Sequence, residues 1–383
     1  MKQITPITNR PSRQEYETRV QRVWRKAVER GFDAYVAMWL ENVYYLSGFV
    51  YTAQERPFFL VLKDGQASFV LPRLEVDHAK EHTWITRIDS YREYPAVAGK
   101  GWADALERGL GSAKKIGIES TLPSYVREAI GRQTAIADII QECRLVKSEW
   151  ELGRIAYAAE VADTGTQTLL ENSAIGVTEL TLYSAGRNAM TYKIIQDMPQ
   201  VNFQVTNIVA AVWIGRMSAM PHSTPSINDT IQEGQPNVSL VSLQADGYSA
   251  ECERTYFVGA PDQMARELFE TMMEARAIAF SLIKPGAVCG EIDRKVLDYL
   301  RAQGHADHIL HRTGHGFGIG SHEAPWIAEG SEAELQVNEV VSIEPGIYIP
   351  GYGGFRHSDT VWVSPSGPVC LTESPVELDE LVL

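Results

Sequence analysis

Side chains able to do chemistry concentrate in five short stretches of the second half of the sequence. His222 stands in SAMPHSTPS, in a predicted loop between prolines. Glu251 and Glu253 alternate in AECERTYFVG; on a strand, where successive side chains point to opposite faces, they share one face. His315 and His322 lie seven residues apart in the Gly-rich HRTGHGFGIGSHEAPW. Glu344 ends the apolar run in VVSIEPGIYIP, and Arg356, His357 and Asp359 enter the last strand in GGFRHSDTVWV. Paired carboxylates can grip a planar cation through charge-assisted hydrogen bonds, and histidine can move protons near neutral pH. Plainer readings exist: a solvated loop for His222, a salt-bridge face for Glu251 and Glu253 beside Arg254, a tight turn for GHGFGIG. Glu344 resists such a reading, because a carboxylate in an apolar strand is costly to bury unless it is paired. The recurrence of His, Glu and Arg at strand ends within one half favours a functional cleft.

The elements that must carry these residues are legible as periodicity. Residues 144–172 read as one long amphipathic helix that opens a second domain, with another helix near 177–190. Strand-like runs follow at 201–215, 236–259, 339–350 and 359–365, with helices at about 261–283 and 290–304 between them. Strands grouped apart from helices predict an α+β domain on a curved antiparallel sheet. The first part alternates instead: a helix over 13–31 stopping at Gly31, a strand in FDAYVAMW, a turn-rich NVYYLSGF, a hairpin about Asp64-Gly65, a strand in KKIGIE and a helix near 122–132. That pattern predicts an α/β domain, giving boundaries of 1–143 and 144–383.

Composition narrows the class. The 383 residues are 44% hydrophobic and carry a net charge of −14, which rules out a disordered chain and argues against nucleic acid as a partner. No run of about 18 apolar residues is present and the first residues lack a secretory signal's apolar stretch, so a cytoplasmic protein without membrane contact is expected. The four cysteines are widely separated, which suggests neither a disulfide framework nor a thiolate zinc site.

In the order PHSTPS, DGYSAECERTYFVG, GHGFGIGSHEAP, SIEPGIYIPGYGG and FRHSDTVWV, the second half resembles the pita-bread fold of the creatinase, Xaa-Pro peptidase and methionine aminopeptidase family. RLVKSEWELGRIAYAAEVAD is similar to the helix that opens that domain, and the first half resembles the creatinase-type N-terminal domain. Peptidases of this family hold two metal ions with two aspartates, one histidine and two glutamates. Carried over position by position, the resemblance implies Glu251, His315 and Glu344 at three of these places, but Leu240 and Ser358 at the other two. Leucine has no donor atom and a serine hydroxyl is a weak ligand for a hard dication. The expectation is therefore no cofactor, or at most an ion on Glu251, His315 and Glu344.

Creatinase, the branch that works without metal, is matched by His222, Glu253 and Glu344, and by Arg56 before proline in YYLSGFVYTAQERPFFLVL, which there reaches the partner subunit's active site. A homodimer with Arg56 crossing the interface is expected on that basis. Trp326 stands where creatinase has a second carboxylate-binding arginine, which points away from creatine itself. The reading is a metal-independent, creatinase-like hydrolase of a C–N bond in a small polar nitrogen compound, an amidino acid or a cyclic amidine. Glu253 and Glu344 bind the cationic nitrogen, His222 shuttles the proton, His322, also counted as catalytic, and His315 position water or substrate, and Arg56, Trp326, Glu251 and Arg356 complete the substrate-binding set. The alternatives are a metal-dependent Xaa-Pro peptidase with an altered site and a non-catalytic binding scaffold.

Overall fold

The computed structural model describes residues 4–224 and 228–383, which form two units: Arg10–Arg144, and residues 4–9 with Leu145–Leu383.

In the first unit, α1 (Arg13–Glu29) starts where the Ser12 hydroxyl accepts from the Glu15 amide, and it buries Tyr16, Val20, Val23 and Ala27 at helical spacing. There follow β1 (Ala34–Ala37), α2 (Leu40–Ser47), β2 (Phe59–Lys63), β3 (Gln66–Pro72), α3 (Val76–His82), β4 (Ile88–Tyr91), α4 (Trp102–Leu110), β5 (Lys115–Ile118), α5 (Ser124–Ile130), β6 (Gln133–Ile136) and α6 (Ile139–Arg144). The strands form one sheet in the order β4-β3-β2-β1-β5-β6. The β2–β3 hairpin turns at Asp64-Gly65, both at positive φ. NVYYLSGF is helix α2 rather than a turn. A remote carboxylate accounts for it: Glu119 Oε2 accepts the Met38 and Trp39 amides at 2.8 Å each, and Oε1 accepts from Asn42 at 2.6 Å.

The second unit opens with α7 (Glu149–Glu171), whose capping box pairs Ser148 with Glu151, and α8 (Glu179–Asp197). Then come β7 (Asn207–Ile214), β8 (Asn237–Ala245), β9 (Tyr248–Tyr256), α9 (Gln263–Leu282), α10 (Cys289–Ala302), β10 (Gly314–Gly316), β11 (Glu323–Ile327), β12 (Val340–Ile343), β13 (Gly346–Ile349), β14 (Gly353–Arg356), β15 (Ser358–Ser364) and β16 (Gly367–Cys370). The main sheet runs β11-β10-β12-β15-β9-β8-β7 with every pairing antiparallel, and β16 is added on β15. It is the curved half-barrel of the pita-bread fold.

The two faces of that sheet have different fates. Toward the helices, Val241, Cys252, Val341 and Val361 join Tyr157, Leu169, Met190, Phe269 and Met272 in one core. Arg254 emerges on this side too and is held by Asp359, its Nη2 donating at 2.7 Å, while Arg276 of α9 donates from Nε to the other oxygen at 2.9 Å. Alternation sends Glu251 and Glu253 to the opposite, concave face. No helix among the described residues is long and apolar enough to cross a membrane.

Candidate metal centre

Four strands bring buried carboxylates and a histidine together on the concave face. β9 supplies Glu251 and Glu253, β10 supplies His315, Glu344 follows the end of β12, and β15 begins with Ser358, paired in register with Glu253. Glu251, Glu253, His315 and Glu344 are all buried. The Ser358 hydroxyl donates to Glu251 Oε1 at 2.7 Å, and Ser342 Oγ donates to Glu344 Oε1 at 3.2 Å. Leu240 stands directly opposite Glu253 on β8.

The glycines around His315 are there for close approach, not for a turn. A Cβ on Gly314 would sit 2.1 Å from the Ser342 carbonyl oxygen, and one on Gly316 would sit 2.2 Å from that of Ala324. Both neighbouring strands therefore press against β10. Nδ1 of His315 faces the Gly316 carbonyl at 3.2 Å, which places the proton there and leaves Nε2 as the free electron pair. Nε2 lies 3.2 Å from Glu344 Oε1, but in an orientation that leaves it without a hydrogen bond. The His322 ring stacks on His315, with centroids 3.8 Å apart.

The charges are tightly coupled. Burial works against the ionised Glu344, yet His315 draws it down to about 2. His315 itself is pushed up by Glu344 and Glu251, against its burial. Glu251 is raised by burial and by Glu344. Desolvation and the neighbouring His315 lower His322 to about 4, so it is neutral near pH 7. Arg356 donates from Nη2 to Glu253 Oε1 at 2.7 Å, and its Nε faces Glu253 Oε2. We read that pair as ionised, since Glu253 keeps the guanidinium charged although burial opposes it. Arg356 Nη1 also donates to Tyr348 Oη at 3.2 Å, and the tyrosine hydroxyl donates in turn to His311 Nε2 at 2.6 Å.

The other sequence candidates are placed as follows. His222 is exposed, in the turn after a short 3₁₀ segment, Gly215–Ala219. Trp326 is directly opposite His315 across the β10–β11 pair, with Arg312 Cζ 4.7 Å from its ring. His357 and Asp359 lie away from the cluster, His357 against Phe269 and Met273. Arg56 belongs to the first unit, where it donates from Nε to Glu93 at 2.7 Å and pairs with Glu55. Sequence reading passed over His311, Arg312 and Tyr348. The signal for the first two was present, as two basic residues immediately before TGHG; Tyr348 was masked by its apolar strand.

Residues 153–365, more than half of the chain, match metallopeptidase family M24, and residues 19–146 match the creatinase/prolidase N-terminal domain. The chain belongs to metallopeptidase family M24. The Xaa-Pro dipeptidase of Pyrococcus furiosus is 29% identical to this M24 chain over 343 residues, spanning 88% of it and 92% of that protein. Among solved structures, the prolidase of Pyrococcus horikoshii OT3 superposes with a TM-score of 0.80 at 27% identity, covering 94% and 99% of the two chains. The Xaa-Pro dipeptidase of Bacillus anthracis gives 0.82 at 26% identity, covering 96% and 100%.

These relatives overturn the metal-independent, creatinase-like C–N hydrolase expected from the sequence. The geometry gives one physical reason: Glu253, assigned to a cationic substrate, is already engaged by Arg356. The expectation of no cofactor falls with it. Ligand atoms of Glu251, His315 and His322 lie within 4.8 Å of one another, as do those of Glu251, Glu253 and Glu344. Together with the unbonded, buried Nε2 of His315, this donor set fits a divalent ion. It does not fit a pair of ions, because Leu240 and Ser358 supply no bridging carboxylate.

Proposed function

We propose that this chain is a hydrolase of Xaa-Pro dipeptides that works with a single divalent ion held by Glu251, His315 and Glu344. The donor set carries the reading: Glu251, His315 and Glu344 are buried on one face with the His315 Nε2 unbonded among them, while Leu240 and Ser358 add no carboxylate for a second ion. Relatives named as Xaa-Pro dipeptidases over nearly the full length support the substrate class.

Hydrolysis of a peptide bond needs a polarised carbonyl, an activated water and a proton for the departing nitrogen. The bound ion would supply Lewis acidity and an acidified water. The chain's own residues do the rest. Gly316 fixes the His315 tautomer by accepting from Nδ1, the outer support that metal-binding histidines commonly have. Ser358 and Ser342 hold Glu251 and Glu344 in place through their hydroxyls. Arg356 keeps Glu253 from competing for the ion, since both its oxygens face the guanidinium. Neutral His322, at the solvent side of the ring stack, is placed to donate to a substrate carbonyl. His222, exposed in the turn after Gly215–Ala219, carries the proton toward the leaving nitrogen.

The test is hydrolysis of Ala-Pro by protein dialysed against a chelator and then re-supplied with manganese, cobalt or zinc. Activity should vanish on chelation and return with the ion, and His315→Ala should not be rescued. Undiminished activity in the chelator would reject the proposal.

A further inference from the structure

We infer that Arg312, braced on Trp326, is the residue that receives the substrate's terminal carboxylate. The inference rests on the dipeptidase reading above and specifies what that site selects.

Trp326 occupies the place where the resemblance to creatinase leads one to expect a carboxylate-binding arginine. A substrate with a free C-terminus would then meet an indole. The structure supplies the missing cation from the segment that leads into β10. Trp326 is the register partner of His315, and directly opposed residues in an antiparallel pair have Cβ atoms about 4.5–5.5 Å apart on the same face. The indole therefore stands beside the ring stack of the metal centre, with 40% of its surface exposed. Over it lies the Arg312 guanidinium, 4.7 Å from the ring centroid, and Arg312 Nε donates to the Gly314 carbonyl at 3.1 Å. These contacts use one face and one edge of the guanidinium. Both terminal nitrogens are left without a hydrogen bond or ion pair among the described residues.

That sets Arg312 apart from Arg254, Arg276 and Arg356. Arg356 is committed to Glu253, and Arg254 and Arg276 to Asp359. A guanidinium oriented by stacking, with its fork of donors open, matches a carboxylate bidentately.

The experiment compares substrates that differ only at that carboxylate. Wild-type protein loaded with manganese is given Ala-Pro and Ala-prolinamide, and proline and prolinamide binding is measured in parallel by calorimetry. Arg312→Ala is expected to lower kcat/KM for Ala-Pro by about 10- to 100-fold, chiefly through KM, as loss of a hydrogen bond to a charged group implies. Its activity on Ala-prolinamide should stay within about twofold of wild type, which also shows that the variant is folded. Arg312→Lys should recover part of the preference, and Trp326→Ala should weaken it. Equal losses on acid and amide, or a wild type that does not prefer the acid, would overturn the role of Arg312. If neither peptide is cleaved, the dipeptidase reading fails; the calorimetry then decides separately. Proline bound more tightly than prolinamide by wild type but not by Arg312→Ala upholds Arg312, and any other binding result rejects it.

Discussion

Replacing Asp359 by asparagine tests how the sheet behind the metal centre is held. The Asp359 carboxylate is fully buried and accepts from Arg254 Nη2 at 2.7 Å, from Arg276 Nε at 2.9 Å and from the Thr372 hydroxyl at 2.8 Å. Arg254, also fully buried, donates to the Ser358 carbonyl at 2.9 Å as well, so the pair ties the start of β15 to β9 directly beneath Glu251. Asparagine keeps one acceptor oxygen but turns an NH₂ group toward one guanidinium and removes the charge that both arginines balance. Breaking a buried pair by removing one partner costs about 3–5 kcal/mol. Arg276 remains partly solvated, with 15% of its side chain exposed, so the Arg254 side dominates and the lower end of that range is expected.

The pH dependence follows from the sign of the shift. Although burial opposes ionisation, Arg254 and Arg276 hold Asp359 well below its ordinary value of 3.8. The pair's contribution is then fully present above about pH 4 and is lost as the pH falls through the unfolded-state value toward the native one. Urea denaturation followed by circular dichroism should show Asp359→Asn less stable by about 3 kcal/mol at pH 7. The gap should be unchanged at pH 5 and narrower below about pH 4. A deficit under about 1 kcal/mol at pH 7, or one that does not narrow in acid, would refute the reasoning.

Two further outcomes follow from the geometry. Gly316→Ala should cost at least about 1–3 kcal/mol of stability and abolish ion binding, because the added Cβ meets the Ala324 backbone at 2.2 Å; denaturation and metal analysis of the variant check both. Leu240→Asp combined with Ser358→Glu should raise the bound metal from one ion to two per chain, since it returns carboxylates to both deficient positions; a stoichiometry that stays at one on metal analysis would count against the explanation given for the single site.

Most of the elements were legible because their signals are local. The amphipathic period over 144–172, the hairpin at Asp64-Gly65 and the alternation through Glu251 and Glu253 each depend on residues within a few positions. What was missed depends on distant partners. Helix α2 is fixed by Glu119, 77 residues beyond Asn42, and no local pattern announces it. The chemistry went astray for the same reason. Glu253 reads as a free carboxylate until Arg356, 103 residues further on, closes over it; its meaning then changes from substrate binding to charge compensation. The departures at Leu240 and Ser358 were visible in the sequence. That Glu251, His315 and Glu344 are buried together on one face needed the sheet to be assembled.

The account turns on the number of ions held by Glu251, His315 and Glu344. Isothermal titration of chelator-treated protein with manganese, repeated on Glu251→Gln, measures it directly. The account predicts saturation at one ion per chain in the wild type, with binding lost in the variant. Saturation at two ions, or no binding at all, would contradict it.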